Sequence, residues 1–292
     1  MTWLAVAKKD FRDAVQSRAL WALVVVFVLL SVISSYAYVR LPEVFGEPEG
    51  ATFGGLILFT VGITGLFVPL AAIVVCYKSL AGERELGSIK LLLSLPTNRW
   101  DVFAGKVLGR ASVLAFGLGV GLVVGLGFGT VLLGELDLLD VLVFLLVTLV
   151  FAAVYAGIVV GLSATTGSTA RATTLAIGFF VVFELFWDVI PMGILYVVEG
   201  FSLPSTFPDW FFFVTQLSPS AAYFSTVVAL LPDLADATGT DPSGAGAGAG
   251  VEVAQIGTDS FLLSPEVGII VLAVWLVVPF VVGSYRFERA DL

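Results

Sequence analysis

Few residues in this chain have types and spacings that could do chemistry. Glu184 and Asp188 stand four apart within an apolar block, so on one α-helix they share a face. Carboxylates in apolar surroundings hold cations or line a polar path. They lie just before Pro191, near the end of their block, so a wetted vestibule is the plainer reading and a substrate path the sharper one. Cys76 is the single cysteine and sits in an apolar block, which rules out an internal disulfide and argues against thiolate metal ligation. Histidine is absent, removing the usual general base and the commonest transition-metal ligand. Neither a His-Glu-x-x-His nor a Gly-x-Ser-x-Gly motif occurs, so intramembrane hydrolysis is poorly supported. The phosphate-cradling Gly-x-x-x-x-Gly-Lys-Ser/Thr loop is missing too, because the Gly105-Lys106 pair is followed by Val107. No catalytic residue, cofactor or metal is expected in this chain.

The elements that must position these residues are set by composition. Hydrophobic residues fill 59% of 292 positions and charged residues only 13%, about half the charged share of a soluble domain. Six blocks reach bilayer-crossing length: Ala19 to Val39, Gly54 to Tyr77, Val107 to Leu133, Leu138 to Ser163, Thr173 to Ile190, and Val267 to Tyr285. None alternates as a barrel strand would, and in lipid each satisfies its backbone only as a helix. The expectation is an all-α, polytopic membrane protein with six transmembrane helices, one domain over residues 1–292, multi-pass in the cell (plasma) membrane, with lipid rather than nucleic acid as its surroundings.

Basic residues are retained on the cytoplasmic side, and of the 14 Lys and Arg residues only Arg40 falls on the other side of a six-span arrangement with both termini inside. Residues 199–265 carry acids but no basic residue, as expected of an external loop. Within it, Trp210 to Leu231 is apolar enough to form a re-entrant or interfacial helical pair, whereas a full seventh span would carry Arg286 and Arg289 outside. Asp241 to Gly250 is low-complexity. The net charge of −9 suits a halophilic setting, and equally suits a protein that left its acids outside.

The most informative stretch is Lys78 to Arg110. Leu86, Ile89, Leu92 and Leu93 recur at helical spacing, with Glu83, Arg84, Glu85, Ser88 and Lys90 on the other face, as in an amphipathic helix at a membrane surface or against a partner. Pro96 ends it, and Asn98 with Asp101 is placed to cap the next helix. At the N-terminus, Trp3, Ala7, Phe11, Ala14 and Val15 line one face with charges opposite.

The run Glu83-Arg84-Glu85-Leu86-Gly87, then Leu91 to Pro96, then Arg99, Asp101, Gly105 and Lys106, resembles the permease subunits of type-2 ABC exporters, among them multidrug, sodium and copper-site maturation systems. The resemblance implies that residues 78–106 are a cytoplasmic coupling segment docking on a separate ABC-type ATPase subunit, with Glu83, Arg84, Glu85, Gly87, Leu92 and Leu93 at the contact. It also implies that ATP is bound by that partner, that residues 1–18 form an interfacial elbow helix, and that the permease works with a second copy or a similar permease. Ser218 to Tyr223 is similar to a stretch found in the family before the last span.

Gly117, Gly121, Gly125 and Gly129 recur every four residues in the third block, and Gly157 and Gly161 in the fourth, as small residues do where helices approach closely. Pro69 is expected to kink the second span. A secondary transporter would need charged or broken helices at mid-membrane. A non-transporting anchor for an ATPase would keep the docking segment and lack a path.

Overall fold

The computed structural model describes residues 3–44, 51–89, 98–202, 207–231, 234 and 264–289. Among the described residues there is helix and no strand. In order, they form α1 (Trp3–Val15), α2 (Arg18–Val44), α3 (Phe53–Cys76), the short α4 (Ala81–Glu85), α5 (Arg99–Leu133) and α6 (Leu138–Ala164). Then come α7 (Thr169–Phe180), which runs into a π-turn at Val181–Leu185, α8 (Val189–Val198), α9 (Asp209–Thr215), α10 (Pro219–Leu230) and α11 (Glu266–Glu288).

Local signals account for many of the boundaries. Thr52 caps α3 by accepting from the Gly55 N–H at 3.1 Å, and Asp137 caps α6 through Leu139 and Asp140. Gly134 ends α5 in the left-handed region at φ 74°. Ser218 caps α10 with Pro219 in its first turn.

Among the described residues five helices, α2, α3, α5, α6 and α11, are long and apolar enough to cross a membrane. The expected fifth span is instead broken: the helix over Thr169–Leu185 and the helix Val189–Val198 meet at 55°. The π-turn places one extra residue in the turn before the break, and Phe186 leaves helical geometry at φ −115° and ψ 1°. With the bent pair counted as one, there are six spans. Pro69 lies inside α3 without ending it. α10 has 12 residues, about 18 Å at the helical rise and too short for a hydrocarbon core of about 30 Å. It packs between α3, α6 and α11 rather than spanning alone.

The third-block glycines answer to α2 of the same chain. A Cβ on Gly121 would stand 2.7 Å from Phe27 Cβ and 2.8 to 2.9 Å from Phe27 backbone atoms. The bare face therefore lets α2 lie on α5 at backbone distance, and Ser35 Oγ uses that proximity to donate to the Gly125 carbonyl at 2.8 Å. α6 and α11 repeat the device, with Gly283 set so that a Cβ would stand 2.9 Å from Gly161 Cα.

Deeper in the bundle, the buried Tyr223 hydroxyl of α10 lies 3.0 Å from Thr64 Oγ1 of α3 and 2.8 Å from Thr148 Oγ1 of α6. Its ring stacks on Phe151 at 4.3 Å. Trp275 Nε1 donates to Leu217 O and Trp187 Nε1 to Val214 O, each at 2.8 Å, so the α9–α10 pair is fastened to α11 and to the broken span. Replacing Gly121 by Leu forces α2 off α5 and is expected to cost roughly 3 kcal/mol. A fall in the thermal midpoint of the detergent-solubilised protein, read by size-exclusion after heating, is the expected result, and an unchanged midpoint would mean α2 and α5 do not touch there.

Candidate functional site

Eleven of the described Lys and Arg residues cluster around one end of the bundle: Lys8, Lys9, Arg12 and Arg18 near the α1–α2 corner, Lys78, Arg84, Arg99, Lys106 and Arg110 around α4, and Arg171 and Arg286 at the ends of α7 and α11. At this basic end the chain leaves α3, makes a turn and enters α4. The turn is held by one hydroxyl: Ser163 Oγ at the end of α6 donates to Tyr77 O at 2.8 Å and accepts from the N–H groups of Leu80 and Ala81 at 3.3 and 3.0 Å. Arg84 Nη1 donates to Ala164 O at 3.1 Å. Glu85 Oε2 accepts from the Thr169 N–H at 2.8 Å, closing the start of α7. The Thr169 hydroxyl and that N–H together hold the Glu85 carboxyl below its usual range. On the other flank Glu83 Oε1 lies 2.6 Å from Lys106 Nζ of α5.

Lys106 is buried and has a second carboxylate, Asp10 of α1, at 3.0 Å. Arg110, one turn further along α5, reaches Asp10 Oδ2 through Nε at 3.0 Å and the Val75 carbonyl through Nη1 at 3.2 Å. Asp10 is thus not on the solvated face of α1 where the charge pattern puts it: it is 8% exposed, against α5. Sequence reasoning missed this cluster. Its traces are Lys106 and Arg110 at helical spacing where a polar flank turns apolar, and Gly105 and Gly109, whose missing side chains let α1 lie on α5.

The continuous amphipathic helix expected through Leu86 and Ile89 is also corrected. α4 ends at Glu85, and Gly87 adopts φ +70°, which glycine takes at no steric cost. The turn separates the two leucine-type positions: Ile89 is buried, while Leu86 is 84% exposed. Gly87 is exposed beside it. Leu92 and Leu93, like Lys90 and Pro96, lie outside the described residues. Asn98 precedes α5 with no side-chain cap bond, and Asp101 Oδ1 accepts instead from the Trp3 N–H at 3.3 Å, another tie between α1 and α5.

Glu184 and Asp188 stand at the break, near the middle of the bent pair Thr169–Val198. Since the helix turns π and then breaks between them, they do not share a face of one α-helix as their spacing suggests. Both nevertheless line one cavity of about 270 Å³, with Phe183, Trp187, Ser218 and Ser220. Glu184 Oε1 is buried there without a hydrogen-bond partner. The carboxylates are visible in the sequence; the π-turn and break between them are what the structure adds. Among the described residues no group of three or more acidic, Cys or His side chains is placed to hold a metal.

An all-helical, multi-pass membrane protein whose polar contacts gather at one end, around a turn between the second and third spans, is the class this fold defines. The family model described as ABC-2 family transporter protein matches residues 4–292, and the chain belongs to that family. It is a membrane subunit of an ABC transporter, a multi-pass protein of the plasma membrane. Two similar proteins each bear the name probable ABC transporter permease protein NosY. The one from Pseudomonas aeruginosa is 31% identical over 46% of this chain and 45% of its own length. The one from Stutzerimonas stutzeri is 25% identical over 75% of this chain and 78% of its own.

Removing Lys106 leaves two buried carboxylates facing each other, so Lys106→Met is expected to cost about 3–5 kcal/mol of stability. Combining Lys106→Met with Asp10→Asn should cost less than the two single changes added together, which thermal unfolding of the four proteins measures. Glu85, with its pKa lowered in the fold, supports the α4–α7 contact above the ordinary carboxylate range and loses that support as the pH falls through its folded value. The protection factor of the Thr169 amide, its exchange rate relative to an unfolded chain at the same pH, should fall over that acidic window, and Glu85→Gln should remove that fall.

Proposed function

We propose that this chain is the permease of an ABC exporter, driven by a separate ATPase that docks on the turn between α3 and α5 at the cytoplasmic face, and that it works as a homodimer or with a similar second permease. The observation that carries this reading is the turn itself. A leucine, Leu86, stands 84% exposed at a polar end of the bundle, on a turn anchored by Ser163, Lys106 and the start of α7. An exposed apolar tip on a rigid base is what a partner's groove takes as an anchor. Glu83, Arg84 and Glu85 act here chiefly by bracing the turn, through Lys106, Ala164 and Thr169 respectively. Both relatives bear permease names, which supports a partner subunit that binds ATP.

In this reading ATP-driven closure of the partner pushes on the turn, and the spans tilt between inward and outward states. Glu184 and Asp188 line a polar stretch of the path near its outer end. The permease supplies path and lever and makes or breaks no covalent bond.

The test is to purify the tagged protein from its native membrane in mild detergent and ask which ATPase accompanies it. A nucleotide-binding subunit should co-purify, and Leu86→Asp should cut its recovery by about tenfold or more, the loss expected of an apolar anchor. Glu83→Gln should retain the complex and weaken transport-linked ATP hydrolysis. Absence of any ATPase under gentle extraction would favour the secondary-transporter alternative, since a broken helix carrying carboxylates is how such proteins hold ions.

A further inference from the structure

α2 rests on α5 and leaves a gap toward α3. The gap is a crevice of about 940 Å³ whose walls, Leu23, Phe27 and Leu30 on one side and Phe67, Ala71 and Val74 on the other, are apolar. Its lining on α2 runs from Ala19 to Leu30, about 16 Å at the helical rise. That is close to half of a hydrocarbon core about 30 Å thick, the depth of one leaflet. One end of the crevice is charged, and it is the end at which spans give way to polar segments: Asp10, Asp13, Glu83, Lys106 and Arg110 all line it.

The charges there do not balance. Lys106 and Arg110 are both engaged, the first by Asp10 and Glu83, the second by Asp10 and the Val75 carbonyl. Two carboxylates, Asp10 and Glu83, share the two cations, the exposed Asp13 adds a third at the rim, and Glu83 Oε2 is buried without a hydrogen-bond partner. An anionic head placed at this end would meet the carboxylates at close range, and a wholly apolar chain would leave Glu83 Oε2 unpaired. A positively charged head satisfies both the excess charge and the open acceptor. A water-soluble cation would have no use for a leaflet-deep apolar slot.

We propose that the α2–α3 crevice binds a membrane-resident amphiphile with a cationic head, its chain lying between the two helices and its head among Asp10, Asp13 and Glu83. The site rests on the transporter reading for its role, since it supplies a ligand class for the permease. It also has a mechanical consequence. A cationic head at Glu83 competes with Lys106 for the carboxylate that braces the α4 turn, so occupancy acts directly on the segment proposed to meet the ATPase.

Binding is testable on the full chain in lipid nanodiscs without any ATPase, so its failure leaves the docking of Leu86 untouched. The readout is displacement of a fluorescent alkyl-trimethylammonium probe. Dodecyltrimethylammonium, below its micelle-forming concentration, should compete saturably. Dodecyl sulfate should compete at least about tenfold less well, the scale of a close charge pair reversed in a partly buried site. Tetramethylammonium, which lacks the chain, should not compete. Ala71→Phe, which fills the slot, should weaken the probe by about tenfold. Asp13→Asn, on an exposed side chain that leaves the packing intact, should weaken it by about threefold. Equal competition by dodecyl sulfate, competition by tetramethylammonium alone, or unchanged affinity in Asp13→Asn and in a monodisperse Ala71→Phe would each overturn the assignment.

Discussion

The arrangement of the basic end depends on keeping one ammonium buried. Lys106 lies on the first turns of a helix that goes on to cross the membrane, and a lone buried charge there would be prohibitive. Asp10 and Glu83 remove the penalty together, and in doing so they help fix the places of α1, which also packs through its apolar face, and of the short α4. α1 must lie along α5, since Asp10 reaches Lys106 from nowhere else, and Gly105 and Gly109 clear the room. The α4 turn must stand against α5, since Glu83 is the second partner. The gain is positional more than energetic, because a buried pair contributes little net stability but penalises every arrangement that separates it.

The spans were legible because lipid leaves the backbone so few choices. A run of about 20 apolar residues has to be a helix, and five of the six blocks form continuous helices close to their expected bounds. The exception shows what hydropathy does not carry. Between Phe180 and Val189 the apolar run reads as a span, yet the chain inserts a π-turn and bends by 55°. A local stack, Phe183 between Phe179 and Trp187 at 4.4 and 4.9 Å, accompanies the bend at four-residue spacing. The tertiary partner is the Val214 carbonyl, which accepts from Trp187 Nε1 and which no periodicity in the block reports.

The candidate site was legible as a segment and not as an arrangement. Glu83 to Gly87 stood out as a motif, but helical spacing placed Leu86 and Ile89 on one face. Gly87 at φ +70° undoes that spacing, and its sign in the sequence is a glycine directly after the helix-favouring Glu83-Arg84-Glu85-Leu86. Asp10 was illegible for the opposite reason. It sits among Lys8, Lys9, Arg12 and Asp13, and a pattern of charges on a short amphipathic helix reads as solvated unless the partner helix is known. The four-residue spacing of Gly117 to Gly129 reads as a packing face, and the structure shows that α2 covers most of it, with Leu56 of α3 at Gly129.

Many of the polar contacts fall into two groups, with α5 packed along α6 and tied by Arg99 to the end of α11. α1 and α2 belong with α5, through the glycine face, the Ser35 to Gly125 bond and the Asp10 ion pairs. α3 belongs with α6 through Ser163 near the α4 turn and through Tyr223, which bridges Thr64 and Thr148 midway along the two helices. The α2–α3 crevice lies between the groups, and Glu83 to Lys106, with Arg110 to Val75, spans them at the charged mouth. Dense interiors do not deform smoothly, so displacement is taken up where the packing is thinnest. In the proposed coupling, a push on Leu86 reaches the α3–α6 group through Ser163 and Arg84 and reaches α5 through Glu83. The same turn would then join the state of the crevice, through Glu83, to the middle of the bundle, through α3 and Tyr223, with no hinge in α3 required.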